Sequence, residues 1–155
     1  MFGNDNKEGS SSSKYIENPI KENVIQNLDA NILHLSCHGY FDNIEPLESG
    51  IVLKDKESLT AKDILYLSGD NKRINADLIT LSACDTGISD NKPGDELIGL
   101  SRSLIYAGAN SLILSLWPVN SYATKELMIE FYSNLKSGDT KSIALQKTQT
   151  KIRER

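Results

Sequence analysis

Several things are scarce in these 155 residues, and each scarcity excludes something. No apolar run approaches the roughly 20 residues that a membrane-spanning helix needs. The amino terminus lacks the charged-then-apolar layout of a secretory leader, so a cytoplasmic location is the expectation. Basic residues are in the minority: 17 Lys and Arg against 21 Asp and Glu give a formal net charge of −4, with no basic cluster. Nucleic acid is therefore not expected as the main partner, because such binding rests on a positive surface. No glycine-rich phosphate loop follows an apolar strand-like run, which counts against a nucleotide cofactor. Cysteine occurs twice, as Cys37 and Cys84, both in apolar strand-like contexts, so free thiols are expected rather than a disulfide. No internal repeat is visible.

What is present is the composition of one ordinary folded domain, 39% hydrophobic and 25% charged, long enough to bury a core. Residues 1–18, with Gly9 and the run Ser10-Ser11-Ser12-Ser13, read as a flexible segment, and residues 19–155 as the domain. Hydrophobic periodicity predicts helices over 19–29, 59–67 (capped by Thr60), 95–107, 121–136 and 140–152. Ser101 joins Leu97, Leu100, Leu104 and Ile105 on the expected inner face of the third helix. Short strands are expected at 31–37, 51–53, 77–83 and 111–116. Strands alternating with helices predict an α/β fold with a mainly parallel sheet, whose sites form at the carboxyl ends of the strands.

Two of the strand-like runs echo each other: Ile32-Leu33-His34-Leu35-Ser36-Cys37-His38-Gly39 and Leu78-Ile79-Thr80-Leu81-Ser82-Ala83-Cys84-Asp85. Aligned on the shared Leu-Ser pair, His38 falls opposite Cys84. Neighbouring strands lie about 4.8 Å apart, so in a parallel pair of that register a base and a thiol leave the sheet at the same level. Side chains alternate between faces, which puts His34, Ser36 and His38 together and turns Cys37 away. Cys84 is thus the candidate nucleophile and His38 the candidate base. His34, deeper in its strand, is expected to be structural. A zinc site from His34, His38 and Cys84 would lack a fourth ligand, so no metal is expected.

The histidine-glycine after one strand and the alanine-cysteine after the next, 46 positions on, resemble caspase-like (clan CD) cysteine peptidases, whose histidine lies about 50 residues upstream of the cysteine. The closer resemblance is to the CHAT domain, a caspase-like family often joined to tetratricopeptide repeats. It is carried by residues 32–39, Leu81-Ser82-Ala83-Cys84-Asp85-Thr86-Gly87, Gly99-Leu100 through Ala107-Gly108-Ala109, Ser115-Leu116-Trp117-Pro118-Val119, and Phe131-Tyr132 with Leu135 and Gly138. The resemblance implies a caspase-like three-layer α/β/α sandwich, with the family's N-terminal strands missing here and the edge of the histidine strand left open. It also implies a catalytic dyad of His38 and Cys84. The family often carries acids just after Trp-Pro-Val, whereas this chain has Asn120 and Ser121, which removes the basis for a basic-residue preference.

Thiol-mediated peptide hydrolysis needs a thiolate, a proton donor for the leaving amine and donors for the developing oxyanion. The backbone N–H groups of Gly39 and Cys84 are the expected oxyanion hole. Trp117, Asp85 and Asn120 are the expected surroundings of the substrate pocket. The expectation is a cysteine endopeptidase acting on a protein or peptide partner, with repeat-containing regions as further partners and no cofactor. The alternative is a caspase-like interaction module that keeps the dyad but needs a missing N-terminal half or a partner to become competent.

Overall fold

The computed structural model describes residues 14–17, 19–40, 42, 44–69, 74–85, 96–115 and 121–154, the side chains of 68, 69, 83–85 and 96–98 excepted. Five strands and five helices follow in the order α1 (Lys21–Ile25), β1 (Ile32–Tyr40), β2 (Gly50–Val52), β3 (Ser58–Thr60), α2 (Ala61–Gly69), β4 (Leu78–Asp85), α3 (Glu96–Ala107), β5 (Leu112–Leu114), α4 (Ser121–Lys136) and α5 (Lys141–Arg153). The strands form one mixed sheet in the order β3-β2-β1-β4-β5. The pairs β1–β4 and β4–β5 are parallel, whereas β2 runs antiparallel to β1 and β3 antiparallel to β2. The α/β reading holds.

Alternation along β1 and β4 decides how the layers assemble. Leu35, Ile79 and Leu81 enter the main core with Ile64 of α2 and Leu100 and Leu104 of α3. On the opposite face, Leu78 packs with Met128 and Phe131 of α4 and Ala144 of α5 in a second, smaller cluster. Each fully buried Leu, Ile or Phe side chain contributes about 1.5–3 kcal/mol, so each layer is held chiefly by its own stripe. A polar tie adds to the smaller one. Lys141 Nζ, at the start of α5, reaches Asp77 Oδ1 at 2.5 Å, the Asp77 carbonyl at 2.8 Å and Ser111 Oγ at 2.7 Å.

Several elements differ from the sequence expectations, each for a local reason. α1 ends at Ile25, and Asn27–Asp29 turn into β1 although Leu28 keeps the apolar spacing and is buried. β1 runs three residues further than expected, because β2 pairs with His38, Gly39 and Tyr40. β3 overlaps the start of the expected second helix. Its Thr60 is nonetheless the cap, accepting from the Asp63 amide at 3.1 Å, while the Asp63 carboxylate accepts from the Thr60 amide at 2.9 Å. α3 buries Leu100, Ser103, Leu104 and Ala107, while Ile105, expected inside, is 50% exposed. β1 is not left wholly open on the side away from β4: β2 covers its last three residues, and Ile32–Cys37 have no strand there among the described residues.

Gly108 ends α3 at φ +118°, its amide donating to the Ile105 carbonyl at 3.0 Å and the Ala109 amide to the Leu104 carbonyl at 3.0 Å. A Cβ there would overlap the Ile74 carbonyl oxygen, so both conformation and space demand glycine. Gly108→Ala is expected to destabilise the domain by about 1–3 kcal/mol, read as a lower urea midpoint at unchanged m-value.

Candidate functional site

Chemistry-bearing residues collect on β1 and β4, on the face that α4 covers in part. The parallel ladder pairs His34 with Thr80, Leu35 with Leu81, Ser36 with Ser82, His38 with Cys84 and Gly39 with Asp85. This is the register that the Leu-Ser echo implies. It puts the Cα atoms of His38 and Cys84 on one rung, at the carboxyl end of each strand's apolar run. The His38 side chain is exposed. Cys84 and Asp85 are described here by their backbone alone, and Trp117 and Asn120, expected in the substrate pocket, lie outside the described residues. Gly39 is half-buried between Ile51 of β2 and Asp85 of β4.

Cys37 lies on the other face, against the main core, as alternation requires. Burial pushes its thiol up to about 11. It is therefore protonated at neutral pH, and a protonated thiol is a poor nucleophile.

Below the His38–Cys84 rung runs a polar seam that the sequence reading left unassembled. His34 Nε2 lies 3.0 Å from Ser82 Oγ, and its Nδ1 lies 3.1 Å from the Tyr132 hydroxyl on α4. Tyr132 in turn donates to Thr80 Oγ1 at 3.0 Å. A phenol has one proton to give, so with Thr80 taking it, Tyr132 accepts from His34 Nδ1–H, and His34 Nε2 accepts from Ser82. That order fixes the Nδ1–H tautomer of a neutral imidazole. The rings of His34 and Tyr132 also touch, with centroids 5.7 Å apart and planes tilted by 44°. Burial lowers the His34 pKa below its ordinary 6.5, and burial raises that of Tyr132. The signal for Tyr132 was its place one turn beyond Met128 on the inward stripe of α4; its four-residue hydrogen-bond chain depends on tertiary packing.

Between this seam and α4 lies an open cleft of about 360 Å³, lined among others by Ser36 and Ser82 from the sheet and by Ser121, Lys125 and Ile129 from α4. The cleft begins one side-chain repeat below the His38–Cys84 rung, about 7 Å along the strands.

A mixed α/β sandwich with polar chemistry at the carboxyl ends of adjacent parallel strands is the class these observations define. The CHAT domain matches residues 7–155, so the chain belongs to the CHAT domain family, which is a caspase-like family. Two relatives are tetratricopeptide repeat protein 28 of mouse, 34% identical over 87 residues, and its human counterpart, 36% identical over 87 residues. The aligned stretch is 56% of this chain but spans only 3% of either relative's length. Among the described residues no helix is long and apolar enough to cross a membrane.

The seam makes stability depend on pH. The folded state holds His34 neutral at a lowered pKa, so between that value and 6.5 the unfolded chain binds the extra proton. Stability is therefore expected to be complete above about 6.5 and to fall as pH drops through the folded value, and His34→Gln should flatten that slope in urea melts from pH 5 to 8. Tyr132→Phe leaves the buried Thr80 Oγ1 without its donor and should cost about 1–2 kcal/mol at pH 7.5 by the same assay.

Proposed function

We propose that this CHAT domain is a cysteine endopeptidase in which Cys84 is the nucleophile and His38 its acid–base partner. The observation that carries the reading is the β1–β4 register, with His38 and Cys84 on one rung at the strand ends. In this reading the Cys84 thiolate attacks the scissile carbonyl carbon. The negative oxygen so formed takes hydrogen bonds from the N–H groups of Gly39 and Cys84. His38 gives its proton to the departing amine, leaving the acyl group on sulfur. It then draws a proton from a water molecule that cleaves the thioester, which releases the acid product and restores the thiolate beside the protonated imidazole. Glycine at 39 has no side chain to keep its amide from the substrate oxygen. In this reading Asp85, Trp117 and Asn120 belong to the substrate pocket, with Trp117 as the wall for the residue before the scissile bond. The substrate is a protein or peptide, and cleavage is regulatory rather than digestive.

A second reading has one observation in its favour. The flank of β1 from Ile32 to Cys37 carries no paired strand among the described residues, and β1 is the strand that bears His38. A domain whose histidine strand is half-paired suits a module that becomes competent only with a partner, and repeat-containing proteins are the partners that the relatives' names suggest.

Intact mass after incubation with an acyloxymethyl-ketone peptide separates the two. The peptidase reading expects a single adduct that is absent in Cys84→Ala, formed about 100-fold more slowly in His38→Ala, and unchanged in Cys37→Ser. No adduct on protein with a cooperative melt favours the partner-dependent module, and equal modification of both thiols rules out the dyad.

A further inference from the structure

The polar seam holds a hydroxyl that is paired with a base of its own. Ser82 Oγ lies 3.0 Å from His34 Nε2, and His34 Nδ1 lies 3.1 Å from the Tyr132 hydroxyl. With the imidazole proton on Nδ1, the Nε2 lone pair accepts the Ser82 proton, and Tyr132 holds the ring from behind. A hydroxyl, a base and a group that orients the base stand in sequence within hydrogen-bond reach, which is what nucleophilic catalysis by serine requires. Each comes from a different element: Ser82 from β4, His34 from β1 and Tyr132 from α4. None of the three belongs to the His38–Cys84 rung.

The trio opens to space and not into the core. Ser82, His34 and Tyr132 all line the cleft of about 360 Å³, where Ser82 is half-buried. Sites for small molecules run from about 300 to 1,000 Å³, so the cleft suits a ligand at the small end. Met128 and Ile129 of α4 give it an apolar wall. Ser36 lines it too and stands on the same rung as Ser82. Adjacent strands lie about 4.8 Å apart, so the Ser36 hydroxyl can donate to an oxygen that becomes negative beside Ser82. Burial lowers the His34 pKa below 6.5, which keeps the imidazole neutral and able to accept a proton at pH 7.5. Burial also raises the Tyr132 pKa, so the phenol stays uncharged. It fixes the tautomer but offers no counter-charge to an imidazolium, and this confines the chemistry to esters with good leaving groups.

We propose that Ser82 is a nucleophile separate from Cys84, taking the acyl group of small, activated carboxylic esters with His34 as its base and Tyr132 as the positioning residue. Ser82 Oγ bonds to the ester carbonyl carbon while its proton passes to His34 Nε2. The carbonyl oxygen takes a hydrogen bond from Ser36. The bond from carbon to the leaving oxygen breaks, and His34 gives its proton to the departing alkoxide. Water then adds to the acyl carbon and passes a proton to His34. The bond to Ser82 breaks, that proton restores the hydroxyl, and the carboxylic acid leaves. The inference does not rest on the peptidase reading.

The test uses the full chain carrying Cys84→Ala, which removes the thiol of the proposed dyad. A fluorophosphonate should displace fluoride and leave one phosphonyl adduct, mapped by peptide mass to Ser82. Release of para-nitrophenol from para-nitrophenyl butyrate should fall at least about 100-fold in Ser82→Ala and in His34→Gln, and stay unchanged in Cys37→Ser. Tyr132→Phe should slow it about tenfold. Nitrogen–proton NMR correlations should show His34 as the Nδ1–H tautomer in the parent chain and as a mixture of both in Tyr132→Phe, a change that a purely structural role of Tyr132 does not produce. Three results would each overturn the proposal: His34 held as Nε2–H in the parent, which makes Ser82 an acceptor without a base; no Ser82 adduct on protein that melts cooperatively; or para-nitrophenol release undiminished in Ser82→Ala.

Discussion

The parallel pairing of β1 with β4 is the constraint on which the rest depends. Its register is fixed by burial: shifting β1 by one residue would turn Leu33 and Leu35 out of the main core and drive His34 and Ser36 into it. Desolvating an imidazole and a hydroxyl without partners costs several kcal/mol, on top of the lost apolar contacts. The same register that satisfies the core therefore also aligns the polar row His34, Ser36, His38 with Thr80, Ser82 and the Cys84 position. The proposed chemistry is a result of where the leucines must go.

That coupling explains why so much was legible in the sequence. The repeated Leu-Ser pair encodes both the core face and the polar face, so alignment of the two runs anticipated the ladder and the exclusion of Cys37. Thr60 and Gly108 were readable because a cap and a left-handed terminus each need a particular residue type. α4 was readable in full, from Ser121 to Lys136, because sixteen residues carry an uninterrupted inward stripe. β3 was not, since Ser58-Leu59-Thr60 is too short to show a period and Leu59 keeps a helical spacing with the apolar residues of α2.

What escaped altogether was the seam joining His34, Ser82, Thr80 and Tyr132. Ser82 and Tyr132 lie 48 and 98 positions from His34 in the chain, and hydroxyl donors have no signature beyond their presence. His34 was set apart from His38 on its depth in the strand, but its partner on α4 depends on how the helix settles across β1 and β4. The extension of β1 through Gly39 escaped for a similar reason. A glycine reads as a strand end until a neighbour such as β2 pairs with it.

The two layers that flank the sheet are of unequal strength. Among the described residues the α2–α3 side shares a broad apolar cluster, whereas α4 and α5 rest on four buried side chains, the partly buried ones packed around them and the Lys141 tie. Sub-global openings favour the path that exposes least apolar surface, so the α4–α5 hairpin is the layer expected to lift while the sheet and its other layer stay folded. Such an opening would withdraw Tyr132 and bare the buried Thr80, whereas His34 and Ser82 already line the open cleft. Water thus has two routes to the seam: the open cleft for His34 and Ser82, and for Thr80 the lifting of one hairpin, which does not require the chain to unfold.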